Sequence, residues 1–133
     1  MFAVIGHVEW VEFVRVERVP RPGEIVHATE WFEEPAGGGA VAAVQLLKLT
    51  GDTVFFTALG DDELGHRACE QLRAMGLRME VAWRPTPQRR GVTFLDAHGE
   101  RTITVMGERL GASAKDPLAW DLLDRCRGVY FTA

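Results

Sequence analysis

The chain has 133 residues, 47% of them hydrophobic and 26% charged, with a formal net charge of -4. That is enough for one core and too apolar for a disordered segment. Acidic and basic residues are interspersed, which argues against a nucleic-acid or acidic-membrane surface, and no apolar run approaches the ~20 residues of a membrane helix. The opening MFAVIGHVEW has neither a basic leader nor a small-residue cleavage site, so no signal peptide is expected. Cys69 and Cys126 lack CxxC spacing and read as buried thiols of a reducing cytoplasm.

In chain order, Phe2 to Ile5 reads as a short buried strand ending at Gly6. From Val8 to Val19 charged and apolar residues alternate loosely, as in an exposed antiparallel strand. Pro20, Pro22 and Gly23 form a turn, and Glu24 to Glu33 returns as a second alternating strand. A glycine loop follows, then a helix over about Gly38 to Thr50 closed by Gly51. Thr53 to Leu59 is a buried β-branched and aromatic strand. Asp61 or Asp62 caps the next helix, whose apolar positions Leu64, Ala68, Leu72 and Met75 recur at helical spacing before Gly76 ends it. Met79 to Trp83 is a strand. Arg90 to Asp96 and Arg101 to Met106 read as a β-hairpin around Ala97 to Glu100. Pro117 starts a helix with an apolar stripe over Leu118 to Arg125, and Val129 to Phe131 is the last strand.

The order is βαβαβ, interrupted by alternating strands. Phe2–Ile5, Thr53–Leu59, Met79–Trp83 and Val129–Phe131 are expected to form a parallel sheet flanked by helices. The segments 8–19, 24–33, 90–96 and 101–106 are expected to form a separate small sheet over the glycine loop. Ligands of open α/β sheets bind at the carboxyl ends of the parallel strands, so that sheet would act as a lid.

The stretch from Pro35 to Leu77 carries the most information. Gly37, Gly38 and Gly39 allow close backbone approach to a ligand, and the helix behind them turns its positive end toward the loop. A flexible link or a helix-packing turn is the plainer reading of the same run. Asp61 and Asp62 favour capping over metal ligation. Glu9 either meets a substrate hydroxyl or is solvated. Trp10 and Trp31 serve as lid core or interface, with ligand stacking as the alternative. Arg89 and Arg90, beside Pro87, read as solvated surface or as a guide for an anionic substrate. The histidines at 7, 27, 66 and 98 share no metal spacing, and His7 stands out because it follows Gly6 at a strand end.

These segments together resemble the PfkB/ribokinase family of carbohydrate and nucleoside kinases. The resemblance runs through PRPGE at Pro20 to Glu24, GGGAVAAVQLLKLTG at Gly37 to Gly51, ALGDDELG at Ala58 to Gly65, and RGVTFLDAHGERTI at Arg90 to Ile103. It implies a ribokinase-like α/β fold, with residues 1–133 as the N-terminal part of a kinase domain and a small antiparallel β lid at about 8–33 and 90–106. It implies phosphoryl transfer from ATP to a hydroxymethyl group of a sugar or nucleoside, with ATP and Mg2+ as cofactors of the intact protein. It also implies a homodimer through the lid, while the cytoplasmic location and the expectation of no nucleic-acid or membrane partner rest on the cysteines, charge and hydropathy above. The substrate-binding residues it implies are Glu9, Val11, Gly37, Gly38, Gly39 and Ala42, with no metal ligand in this chain.

Two matches fail. Val11 stands where the family often has a hydroxyl-gripping Asp, and Ala42 occupies the place of a sugar-contacting Asn. The family's Gly-Ala-Gly-Asp signature, with its catalytic Asp, is expected downstream of Ala133, so the 133 residues alone are expected to be inactive. The alternative is a non-catalytic binding or regulatory protein that kept the fold. A dinucleotide-binding domain is disfavoured because no GxGxxG follows the first strand.

Overall fold

A computed structural model describing residues 1–132 arranges the chain as β1 (Phe2–Ile5), β2 (Glu9–Arg15), β3 (Glu30–Ala36), α1 (Gly38–Thr50), β4 (Thr53–Gly60), α2 (Glu63–Ala74), β5 (Arg78–Arg84), β6 (Arg90–Leu95), β7 (Arg101–Met106), a 3-10 helix (Trp120–Arg125) and β8 (Val129–Phe131). The strands form two four-stranded sheets. The body sheet has the order β5-β4-β1-β8 and is parallel throughout; the lid sheet has the order β3-β2-β6-β7.

Every residue of β4 is buried, which explains its unbroken apolar and β-branched sequence. Its side chains alternate between two cores. Phe55 and Leu59 pack with Val4, Ala68 and Leu72 beneath α1 and α2. Val54 and Phe56 face the 3-10 helix, where Phe56 and Trp120 stack with ring centroids 4.8 Å apart.

Helix α1 ends at Gly51, whose φ of 80° is the left-handed conformation that glycine adopts without a Cβ penalty. Asp62 caps α2: its Oδ1 accepts from the Gly65 N–H at 2.9 Å. A Cβ on Gly65 would lie 1.8 Å from the Gly60 carbonyl oxygen, so α2 rests directly on the backbone of β4.

The lid is mixed rather than antiparallel. β2 pairs antiparallel with β3 but parallel with β6, and only the β6–β7 pair is a hairpin. The body strand β5 stands between β3 and β6 in the chain, so β6 enters the lid afresh from the body, in the same direction as β2.

Three expected boundaries also shift. Residues 24–28 are not strand, because β2 ends at Arg15 opposite Glu30 and nothing remains for them to pair with. They belong to a loop closed by the Arg18–Glu24 ion pair. β3 instead continues through Pro35 to Ala36, with Pro35 on the sheet edge, where no ladder donor is required. The expected helix at Leu118–Arg125 is reduced to the 3-10 helix. The Ala119 N–H donates to Glu80 and the Arg127 N–H to the Met1 carbonyl, leaving too few residues for α-helical turns.

Candidate functional site

The lid and body meet at the carboxyl end of β1, where Gly6, His7 and Val8 lead directly into β2. Lid register decides which side chains turn toward the body. Val11 opposes Gly91, and Phe13 opposes both Phe32 and Thr93, while Thr93 in turn opposes Ile103. Directly opposed residues share a face. That face and the glycine loop enclose a cavity of about 330 Å3, lined by Glu9, Val11, Phe13, Ala36, Gly37, Gly38, Val41, Thr93, Arg101 and Ile103. A larger groove of about 510 Å3 lies outside, between β3, α1 and Met75, with Glu34, Gln45 and Lys48 among its lining residues.

The three glycines have separate roles. Gly37 has φ 87°, and a Cβ there would lie 2.9 Å from the Glu9 nitrogen. A Cβ on Gly39 would lie 2.6 Å from Gly6 C, His7 N and His7 O, so α1 can start this close to β1 only without a side chain. Gly38 alone has room, its nearest neighbours lying at 3.4 Å. Gly37 and Gly38 line the cavity; Gly39 is buried behind it.

Glu9 is largely shielded, with its side chain 14% exposed. Its Oε1 lies 3.0 Å from Arg89 Nε, off the N–H axis, which makes a close ion pair without a hydrogen bond. The Arg89 side chain is itself only 16% exposed, so Arg89 departs from the solvated-surface reading. His7 Nε2 is 3.7 Å from the same carboxylate oxygen and accepts from the Gly38 N–H at 3.4 Å. Burial first, and the Arg109 charge second, hold the imidazole below its ordinary 6.5, so the ring is neutral at pH 7.

Gln88, 3% exposed, locks the junction. It donates from Nε2 to the Val8 carbonyl at 2.9 Å and accepts at Oε1 from the Gly60 N–H at 3.0 Å. Its own N–H donates to Asp62 Oδ2 at 2.9 Å. Asp62 therefore ties the start of α2 to the base of the lid, a role that agrees with capping rather than metal ligation.

Of the six residues singled out as substrate-binding, Glu9, Val11, Gly37 and Gly38 come together at the cavity. Ala42 does not line it. It is half-buried against the helical core, while Val41, one residue earlier on α1, faces the cavity. Trp10 is 1% exposed in the core beneath the Arg67 guanidinium, 4.6 Å from its ring, and Trp31 projects from the opposite face of the lid. Neither is placed to stack on a ligand. The aromatic at the cavity is Phe13, stacked on Phe32 at 5.0 Å. Phe13, Thr93, Arg101 and Ile103 escaped the sequence reading. The first was within reach, since Phe13 follows Val11 by two on one strand; the others need the register.

Residues 1–132 match the family described as pfkB family carbohydrate kinase. The chain belongs to that family. Among curated relatives it is 28% identical to a ribokinase of Staphylococcus aureus over 107 residues, covering 78% of this chain and 35% of the relative. A fructokinase of Klebsiella pneumoniae is 38% identical over 77 residues, covering 54% of this chain and 24% of the relative. Ribokinase of Arabidopsis thaliana, solved with ribose and ATP, superposes with a TM-score of 0.61 at 26% identity over 79% of this chain and 35% of that one. Phosphofructokinase-2 of Escherichia coli, solved with fructose-6-phosphate, shares the fold with a TM-score of 0.74 at 14% identity, covering 100% of this chain and 45% of that one. The chain thus spans about a third of the length of the ribokinases it resembles. Among the described residues no three His, Cys, Asp or Glu side chains converge on a point.

Proposed function

We propose that this chain forms the acceptor side of an ATP-dependent kinase that phosphorylates a hydroxymethyl group of a small sugar or nucleoside. Residues 1–133 are the N-terminal part of that kinase domain, and the second sheet is its lid. The observation that carries this reading is the 330 Å3 cavity between lid and glycine loop, with the Glu9 carboxylate held at its edge by Arg89.

In this reading the chain's own residues position the acceptor and exclude water. The Glu9 oxygen facing away from Arg89 receives a substrate hydroxyl, and the Thr93 side chain is the neutral polar group of the wall. Val11, Phe13, Val41 and Ile103 cover the apolar part of the acceptor. Aligning the acceptor and keeping water from the reacting atoms is the main task of a protein in phosphoryl transfer. Nucleotide, metal and catalytic base are assigned to parts of the intact protein outside these residues.

Substrate choice follows from the lining. Each substrate hydroxyl buried against Val11 or Val41 without a partner costs about 1–3 kcal/mol. The preferred acceptor therefore presents fewer hydroxyls there than a free pentose does. Calorimetry on the intact protein with ribose, fructose and several nucleosides, paired with an ADP-release assay, tests this. Ribose bound tightly, and undiminished in Glu9→Ala, would refute the substrate reading. Binding without any ADP release across the panel would favour a non-catalytic binding protein.

We further propose that the intact protein dimerises through the lid. Phe32 on one edge strand and Ile103 and Val105 on the other share the cavity-facing side of the sheet and are 45%, 51% and 44% exposed, apolar surface that a second lid can cover.

A further inference from the structure

A second, smaller cavity of about 200 Å3 lies where β1 and β8 end, beside the one just described, and His7, Arg109 and Thr132 are its polar walls. His7 is 8% exposed, and its Nδ1 is buried with no hydrogen-bond partner. Because Nε2 accepts from the Gly38 N–H, the neutral ring carries its proton on Nδ1, which makes that atom an unanswered donor. Arg109 is a cation without a carboxylate partner within ion-pair distance among the described residues.

The Arg109 backbone is fixed although its side chain is exposed. Leu110, 6% exposed, plugs into Ala58 and Ala82 of the body sheet. On the other side the Gly111 carbonyl accepts from Arg84 Nη2 at 2.8 Å, and Arg84 in turn grips Asp116 through two hydrogen bonds of 2.7 Å. A guanidinium held on a pinned loop, next to an unanswered imidazole donor, a hydroxyl and the start of α1, is complementary to negative oxygen.

We infer that this cavity is an oxyanion subsite, in which Arg109 supplies the charge while His7 Nδ1–H and the Thr132 hydroxyl donate hydrogen bonds. Its ligand is a phosphoryl group or a carboxylate. The oxyanion chemistry stands on the side chains alone; assigning it to the phosphoryl group of the product ester rests on the kinase reading above. The subsite adjoins the acceptor cavity through His7, whose ring abuts Gly37 and Gly38. A phosphate ester could then place its ring in one cavity and its phosphoryl group in the other.

The test is an NMR titration of the intact protein with labelled histidine, using inorganic phosphate alone, ribose 5-phosphate and gluconate, with sodium chloride matched for ionic strength. The expected result is that phosphate and the ester move the His7 ring signals and raise its pKa, since a bound anion opposes the lowering by Arg109 and Arg89 and adds to the raising by Glu9. Removing a charge-assisted contact in Arg109→Gln is expected to weaken binding by about tenfold or more. Arg109→Lys should retain part of the affinity. Arg109 is exposed, so these variants do not endanger the fold. A response to gluconate but not to phosphate assigns the subsite to an acceptor carboxylate. His7 unmoved by all three, or moved equally in Arg109→Gln, overturns the inference. ADP release from the sugar panel is measured on the same sample. ADP release without an oxyanion response rejects the subsite and leaves the kinase reading standing, and the converse result rejects the kinase reading.

Discussion

Replacing Gly39 by alanine separates a glycine that serves the ligand from one that serves the fold. The added methyl would sit 2.6 Å from three backbone atoms of Gly6 and His7, where ordinary contact begins near 3.4 Å. Backbone cannot rotate aside as a side chain can, so α1 and the β1–β2 junction must separate by several tenths of an ångström. Such overpacking costs about 1–3 kcal/mol and sometimes more. Alanine in place of glycine inside a helix returns roughly 0.5–1 kcal/mol. The net expectation for Gly39→Ala is a loss of up to about 2.5 kcal/mol, measured by urea denaturation of the intact protein. Gly38→Ala is the control, because its methyl would meet His7 and Thr132 at 3.4 Å and its backbone is not left-handed. That variant should stay within about 0.5 kcal/mol of the parent in stability, while altering ligand binding because Gly38 lines the acceptor cavity. Equal stability of the two variants would refute the assignment of Gly39 to packing.

Asp62→Ala removes the cap on Gly65 and the acceptor for the Gln88 N–H, and should cost about 1–3 kcal/mol in the same denaturation assay. His7 has a folded pKa below its ordinary 6.5, so the unfolded chain takes up the proton first and stability should fall as pH drops through 6.5 toward the folded value. His7→Gln should flatten that part of the stability curve, and an unchanged slope would show that other groups carry it. The Cys69 thiol, buried and pushed above its ordinary 9.0 by burial, should react with a thiol reagent only as fast as the protein opens, and far faster in denaturant. Val105→Lys, on the exposed apolar surface of the lid, should lower the mass seen by light scattering if the lids pair; an unchanged mass would reject that interface.

Local chemistry was legible in the sequence wherever it acts over a few residues. The Gly51 terminus of α1, the Asp62 cap of α2, the buried strand at Thr53 and the hairpin around residues 97–100 are set by backbone sterics, side-chain capping and periodicity, which need no distant partner. The family likeness rests on the order of these same pieces. Partners far apart in sequence decided the rest. The lid became mixed because β6 enters from the body beside β2, and the strand expected at residues 24–28 vanished because Arg15 opposes Glu30. Ala42 yielded its place to Val41 because a helical residue's facing depends on how the helix is rotated against the lid, and no pattern within α1 reports that angle. Arg89, read as surface, became the partner of Glu9 across 80 residues of chain. Charge, size and turn chemistry are properties of residues; which of them meet at a cavity is a property of register and packing.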